Sequence, residues 1–266
     1  MGPMTQLFTS LSQLFQGFAD WRRWAWLGLY DVHLLNRRSF FGMWWPTLSI
    51  GIFAFGVGHL YAILMGRPLH VYLPHLAVGM IAWQLIIGGI VQGSSVFISS
   101  LRILEESILP ANTLALRLLT RLVVQFLLGL TVIAAVFIYL QKPLTPMAAV
   151  SILGLVLDVI VLHGTIMFLG FLCARFRDVQ HLIDATLRLV FFLTPILWIP
   201  TADRGGRSII VDFNPFYYMI EVIRAPIVHG EFPALAMTVV AGLAVVSNLF
   251  GLGAFTLFRR KLMYWI

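Results

Sequence analysis

This chain predicts an all-α integral membrane protein, and three observations carry that prediction. Six long apolar runs, near residues 40–64, 73–98, 118–140, 147–173, 182–200 and 233–258, are separated by short polar stretches that hold most of the charge. Most runs reach the roughly 20 residues an α-helix needs to cross about 30 Å of hydrocarbon. Hydrophobic residues make up 60% of the sequence and charged residues 11%, with a mean hydropathy of +0.92. No water-soluble fold hides that much apolar surface. Because a bilayer offers open backbone no hydrogen-bond partners, the spans are expected to be helices. Six spans and their connections consume nearly all of residues 1–266, so a single membrane domain is expected, with its six-span region at 40–258.

Before the first span, residues 20–38 read as an amphipathic interfacial helix. Trp21, Trp24, Ala25, Gly28, Val32 and Leu35 recur at helical spacing on one arc, and Arg22, Arg23, His33, Asn36, Arg37 and Arg38 fill the rest. Such a helix lies in the membrane interface, with tryptophans at headgroup depth. The first span opens with Gly42-Met43-Trp44-Trp45-Pro46, where proline is tolerated because its missing N–H falls at a helix start. Tight turns at Gly66-Arg67-Pro68 and at residues 141–146 force neighbouring spans into antiparallel contact. Between them, Ser99 to Thr113 holds Arg102, Glu105 and Glu106 and then the breakers Pro110 and Asn112, which leaves room for one short helix. Residues 174–180 form a compact charged turn.

The fifth run differs from the others. Asp184 and Arg188 stand at i,i+4 with the acid first, the favourable order for a helical pair. The strictly apolar part then shrinks to about residues 189–200 with Pro195 inside it, so this span is expected to be short, kinked or beside a polar cavity. Residues 201–232 form the longest segment on the outer side. Asn214 is placed to cap a helix that begins at Pro215 and ends at Pro226, with Glu221 and Arg224 at i,i+3. A dozen amphipathic residues cannot span, so a re-entrant or interfacial hairpin is expected there.

Charge sets the orientation. With the N-terminus in the cytoplasm, six spans return the C-terminus to the same side. The inner segments then hold thirteen Lys and Arg residues and the outer ones five, namely Arg67, Lys142, Arg204, Arg207 and Arg224. Both termini are therefore expected in the cytoplasm. The same placement at span ends, rather than the net charge of +7, argues against a nucleic-acid partner. Residues 1–19 lack the basic start and compact apolar stretch of a cleaved signal peptide, so the first span is expected to act as its own insertion signal. The single Cys173 excludes an intrachain disulfide and reads as a small buried thiol.

Catalytic chemistry finds little support. Lys142 and Lys261 are the only lysines, and neither follows a phosphate-cradling glycine loop. The seven histidines show no metal-ligand spacing, so no metal site is expected. Asp158 and His163 lie inside the fourth span, where an ionisable group is a functional suspect. Five residues apart places them about 140° from each other on a helix. A pore-lining role and an interhelical structural hydrogen bond both remain open for them.

Several strings, in order and along essentially the whole chain, resemble the permease subunits of bacterial type-2 ABC exporters, in the polysaccharide and lipopolysaccharide O-antigen branch. They are Arg37-Arg38-Ser39-Phe40-Phe41-Gly42, Tyr72-Leu73-Pro74-His75, Cys173-Ala174-Arg175-Phe176-Arg177-Asp178-Val179 and Phe191-Phe192-Leu193-Thr194-Pro195-Ile196-Leu197-Trp198. Phe213-Asn214-Pro215-Phe216-Tyr217-Tyr218 with Arg224-Ala225-Pro226, and the C-terminal Arg259-Arg260-Lys261, complete the set. The resemblance implies a homodimeric channel in the inner membrane of a Gram-negative bacterium, driven by two copies of a separate ABC ATPase. That partner, not this chain, would hold ATP and Mg. The implied cargo is a polysaccharide on a polyprenyl diphosphate, moved from cytoplasm to periplasm. No enzymatic activity is expected of this subunit.

Under this resemblance Trp24, Tyr30, Arg37, Arg102, Glu105, Glu106, Arg175, Arg177 and Asp178 are candidates to couple to the ATPase. The stretch at 101–109 departs from the family's usual sequence. Asn214, Pro215, Phe216, Tyr217, Glu221 and Arg224 match the outer re-entrant segment. From side-chain chemistry, Trp44, Trp45, Phe191, Phe192 and Trp198 are candidates to line a glycan path, with Asp158 beside them. Arg188 is a candidate for the diphosphate, since guanidinium grips phosphate oxygens in pairs. Three rivals remain: a drug or antibiotic exporter permease, a proton-coupled secondary transporter using Asp158 and His163, and a membrane-embedded transferase.

Overall fold

The computed structural model describes residues 16–34, 40–100, 110–200, 209–259 and 261–265, and among them the chain is helical with no strand. After one helical turn at 16–19 come α1 (Trp21–Leu34), α2 (Trp45–Leu64), α3 (Leu69–Ser94), α4 (Ala111–Tyr139), α5 (Ser151–Arg175), α6 (Asp178–Leu193), α7 (Pro215–Arg224) and α8 (Ala234–Phe258). With their leading 3-10 turns, α2, α3, α4, α5 and α8 are five stretches long and apolar enough to cross a membrane. The fifth apolar run does not supply another of that length. Its helix, α6, has 16 residues and stops at Thr194, whose extended backbone (ψ 131°) is what a following proline imposes.

The α2–α3 and α4–α5 turns share one end of the bundle. We call this the hairpin end, and the opposite end, with Arg117 and Arg175, the arginine end. Helix α3 is the centre of the packing: it touches α2, α4, α5 and α7 and is buried on nearly every side. The most extensive pairing joins α5 to α8, and small residues explain it. A Cβ on Gly164 would stand 2.3 Å from the Ser247 carbonyl carbon, and one on Gly251 would stand 2.8 Å from the Gly164 oxygen. The two backbones touch directly, which is how helices associate where lipid removes the hydrophobic drive.

The packing makes two expectations more specific. The later part of the apolar arc on the interfacial helix faces protein: α1 lies along α4, burying Gly28 and Val32 together with Asp31. A Cβ on Gly28 would meet the Arg117 carbonyl oxygen at 2.7 Å. Trp21, Trp26, Leu29 and Tyr30 are left exposed, and residues 35–38 of the expected helix lie outside the described residues. Helix α7, expected in a re-entrant or interfacial hairpin, is a core helix. Seven of its ten residues are buried against α3, α5 and α8. Its start is as expected: the Asn214 side chain accepts from the Phe216 N–H at 3.0 Å, with Pro215 at the first position. It passes after Arg224 into a π turn, Ala225–His229, that closes on Gly230 at φ +70°.

Candidate functional site

At the arginine end, α1 is clamped to α4. Arg117 donates from Nε and Nη2 to the two carboxylate oxygens of Asp31, at 2.6 and 2.5 Å, in the paired geometry that only guanidinium provides. Beside this clamp a cavity of about 480 Å³ opens between α1, α3 and α4. Gln92, Arg117 and Arg121 line it with three serines, Ser95, Ser99 and Ser100, from the break after α3. Arg121 donates from Nη2 to the Gln92 side-chain oxygen.

Polar groups continue from this cavity toward mid-span. Gln84 and Gln92 stand eight residues apart on α3, and Arg117, Arg121 and Gln125 follow at i, i+4 and i+8 on α4. Each set lies on one helix face. Gln84 is exposed at the middle of an otherwise buried helix, and with Gln125 and Thr47 it borders a smaller recess. Polar side chains left open at membrane depth are candidates to line a hydrated or substrate-bearing path. The sequence carried this signal as regular polar interruptions in two apolar runs. Reading Arg117 and Arg121 only as orientation charges concealed it.

At the hairpin end the broken end of α6 is repaired by side chains. Stopping a helix leaves carbonyls without donors, which is costly away from water. Tyr72 donates its hydroxyl to the Leu197 carbonyl at 2.6 Å, and Arg224 Nη1 donates to that of Pro195 at 2.7 Å. Asn214 Nδ2 donates to the Thr194 hydroxyl at 2.9 Å. Arg224 is 2% exposed; its Nε and Nη2 donate to one Glu221 oxygen at 3.0 and 2.6 Å, and Nη1 also reaches His75 Nε2 at 3.2 Å. One guanidinium therefore ties α7 to α3 and to the segment after α6. The i,i+3 spacing announced the Glu221–Arg224 pair; Tyr72 and His75 stood only in a family-like string with no role assigned, because their partners lie far away in sequence.

The two ionisable groups of α5 separate. His163 bridges helices, with Nδ1 2.8 Å from the Asn248 amide oxygen on α8 and Nε2 2.7 Å from that of Asn112 on α4. This is the interhelical hydrogen bond that one reading of the sequence offered. Asp158 is fully buried, and neither carboxylate oxygen has a hydrogen-bond partner among the described residues. The two do not bond each other.

Of the candidate coupling residues, Arg175, Arg177 and Asp178 are exposed at the arginine end, where Arg175 sits over the Phe176 and Trp265 rings. Tyr30 stacks on Trp26, and Trp24 is half-buried. Arg37, Arg102, Glu105 and Glu106 lie outside the described residues. The aromatic path candidates fall into two sets. Trp44 and Trp45 are exposed at the start of α2, where Trp45 stacks on Phe41. Phe191 meets Phe192 and Trp83, and Trp83 also meets Phe216, while Trp198 donates to the Phe192 carbonyl. Among the described residues no ring contact joins the sets. Arg188 is exposed on α6, and no ion pair joins it to Asp184, which is half-buried.

Five membrane-length helices, a polar cavity at one end and a repaired helix break at the other define a multi-pass membrane protein. No protein-family model matches the chain. Curated relatives do. It is 23% identical over 230 residues to an O-antigen export system permease protein RfbA of Klebsiella pneumoniae, covering 82% of this chain and 88% of that protein. A second protein of that name and organism is 22% identical over 241 residues (88% and 89%), and one from Myxococcus xanthus is 24% identical over 227 residues (80% and 85%). At the level of family the resemblance carried by the motifs therefore holds: the chain is similar to O-antigen export permeases along four fifths or more of its length.

Proposed function

We propose that this chain is the membrane-spanning permease subunit of an ATP-driven exporter that moves a lipid-linked polysaccharide out of the cytoplasm. The observation that carries the reading is the near full-length similarity to O-antigen export permeases. The polar cleft of α3 and α4 supports it, since a hydrophilic cargo needs such a path. In this reading the arginine end faces the cytoplasm and a separate ATPase, and α6 with the residues after it completes a sixth, broken span. A second copy of the chain covers the faces of α2 and α6 that this one leaves open, including Ile52, Ile63, Leu189 and Phe192. The partner binds and hydrolyses ATP. Its closure pushes α1, and the Asp31–Arg117 clamp passes that motion to α4.

The test is reconstitution of the chain with and without its ATPase in vesicles holding a polyprenyl-diphosphate-linked glycan. Export is expected only with the active ATPase and nucleotide. Transport by the chain alone, or transport collapsed by an uncoupler, would overturn the reading in favour of a proton-coupled carrier.

A further inference from the structure

We propose that the cavity between α1, α3 and α4 binds the phosphate group of an anionic amphiphile, with Arg121 as its counter-charge. The inference goes beyond the export reading and holds whatever the transported cargo is.

Asp31 neutralises Arg117 through both of its oxygens. Arg121 makes no ion pair of its own among the described residues, where the pairs are Arg23–Asp20, Arg117–Asp31 and Arg224–Glu221; it is drawn to Asp31 only from a distance. Its acceptor is the neutral amide of Gln92, and its Nε is buried with no acceptor among the described residues. A guanidinium partly withdrawn from water with only a carboxylate already bound to a second arginine beside it is costly, and a bound anion lowers that cost.

The walls select the kind of anion. The Ser95 and Ser99 hydroxyls donate to the carbonyls of Gln92 and Val96 across long contacts of 3.2 and 3.3 Å, so they are free to turn toward an incoming oxygen. Leu34, Leu114 and Leu118 form an apolar wall beside the polar one. At about 480 Å³ the space exceeds what a bare ion fills. A guanidinium fork, hydroxyls and an apolar flank suit a phosphate head with its hydrocarbon tail alongside. A membrane phospholipid and a polyisoprenyl phosphate share that chemistry.

The experiment measures binding to the delipidated full-length chain in neutral detergent, without ATPase or transport, so its outcome is independent of the export test. The probes are inorganic phosphate, phosphatidylglycerol, phosphatidylcholine and a polyisoprenyl diphosphate. We expect one of the two anionic amphiphiles to bind more tightly than phosphatidylcholine, and the one that does names the source. Arg121→Gln should weaken it by about tenfold or more, the loss of a charge-assisted hydrogen bond. Ser99→Phe, which fills the cavity while leaving the Arg121–Gln92 contact in place, should do the same in a chain that folds normally. Arg67→Gln, at the hairpin end, should change nothing. Binding that survives both cavity substitutions, or binding of inorganic phosphate alone, would overturn the proposal.

Discussion

Arg224 and Asp158 show how differently two buried ionisable side chains can be provided for. Arg224 spends all its donor nitrogens on Glu221, His75 and the Pro195 carbonyl. Glu221→Gln leaves that guanidinium without its counter-charge, and breaking a buried pair from one side costs about 3 kcal/mol or more. A fall in the midpoint of detergent-solubilised thermal unfolding should report it. His75→Leu removes only one of two Nη1 acceptors, and about 1 kcal/mol is expected on the same assay. Asp158 has no such provision. Asp158→Leu relieves an unsatisfied carboxyl, so a rise in melting temperature worth roughly 1–3 kcal/mol is expected. A stabilised Asp158→Leu protein that no longer exports would show that the carboxyl is kept for transport rather than for folding.

Contact between whole helices depends on residues with almost no side chain. The α5–α8 pair rests on Gly164, whose Cβ would collide with backbone of α8, whereas Gly242 on α8 has nothing within 4 Å of a Cβ. Gly164→Ala must push two backbones apart and should destabilise by about 1–3 kcal/mol, as overpacking does. Gly242→Ala is expected to be silent in the same melting assay. The α1–α4 pair offers a functional counterpart. Asp31→Asn loses the charge of the bidentate clamp while leaving Gly28 packed on α4. If α1 transmits motion, export should fall with the partner ATPase still bound, and pull-down against transport rate separates the two.

For the molecule as a whole, orientation is the open quantity that charge alone suggested. Cys173 is buried, so added cysteines report with little background. Leu144→Cys, exposed at the hairpin end, should react with a membrane-impermeant maleimide in intact cells. Arg177→Cys, exposed at the arginine end, should react only after the membrane is opened. The reverse pattern would invert the positive-inside assignment. The four long spans from α2 to α5, and α8, were legible in the sequence because apolar length is a local property that survives any packing. The Asn214 cap and the Glu221–Arg224 pair were legible for the same reason, since three or four residues contain the whole signal. The burial of α7 was not, because its apolar faces meet α3, α5 and α8 from distant parts of the chain.

Composition and the length of its apolar runs determined by themselves that this chain is helical and membrane-bound, since each helix satisfies its own backbone before meeting any other. Motif order likewise pointed to its relatives. Tertiary structure decided which polar groups find one another: Asp31 with Arg117, His163 with Asn112 and Asn248, and Arg224 with the broken end of α6. Such pairs join residues 29 to 86 positions apart, and their energy depends on distances that only packed helices fix. Arg121 became visible in the same way, as a cation at the cavity that makes no ion pair among the described residues because both oxygens of Asp31 are held by Arg117.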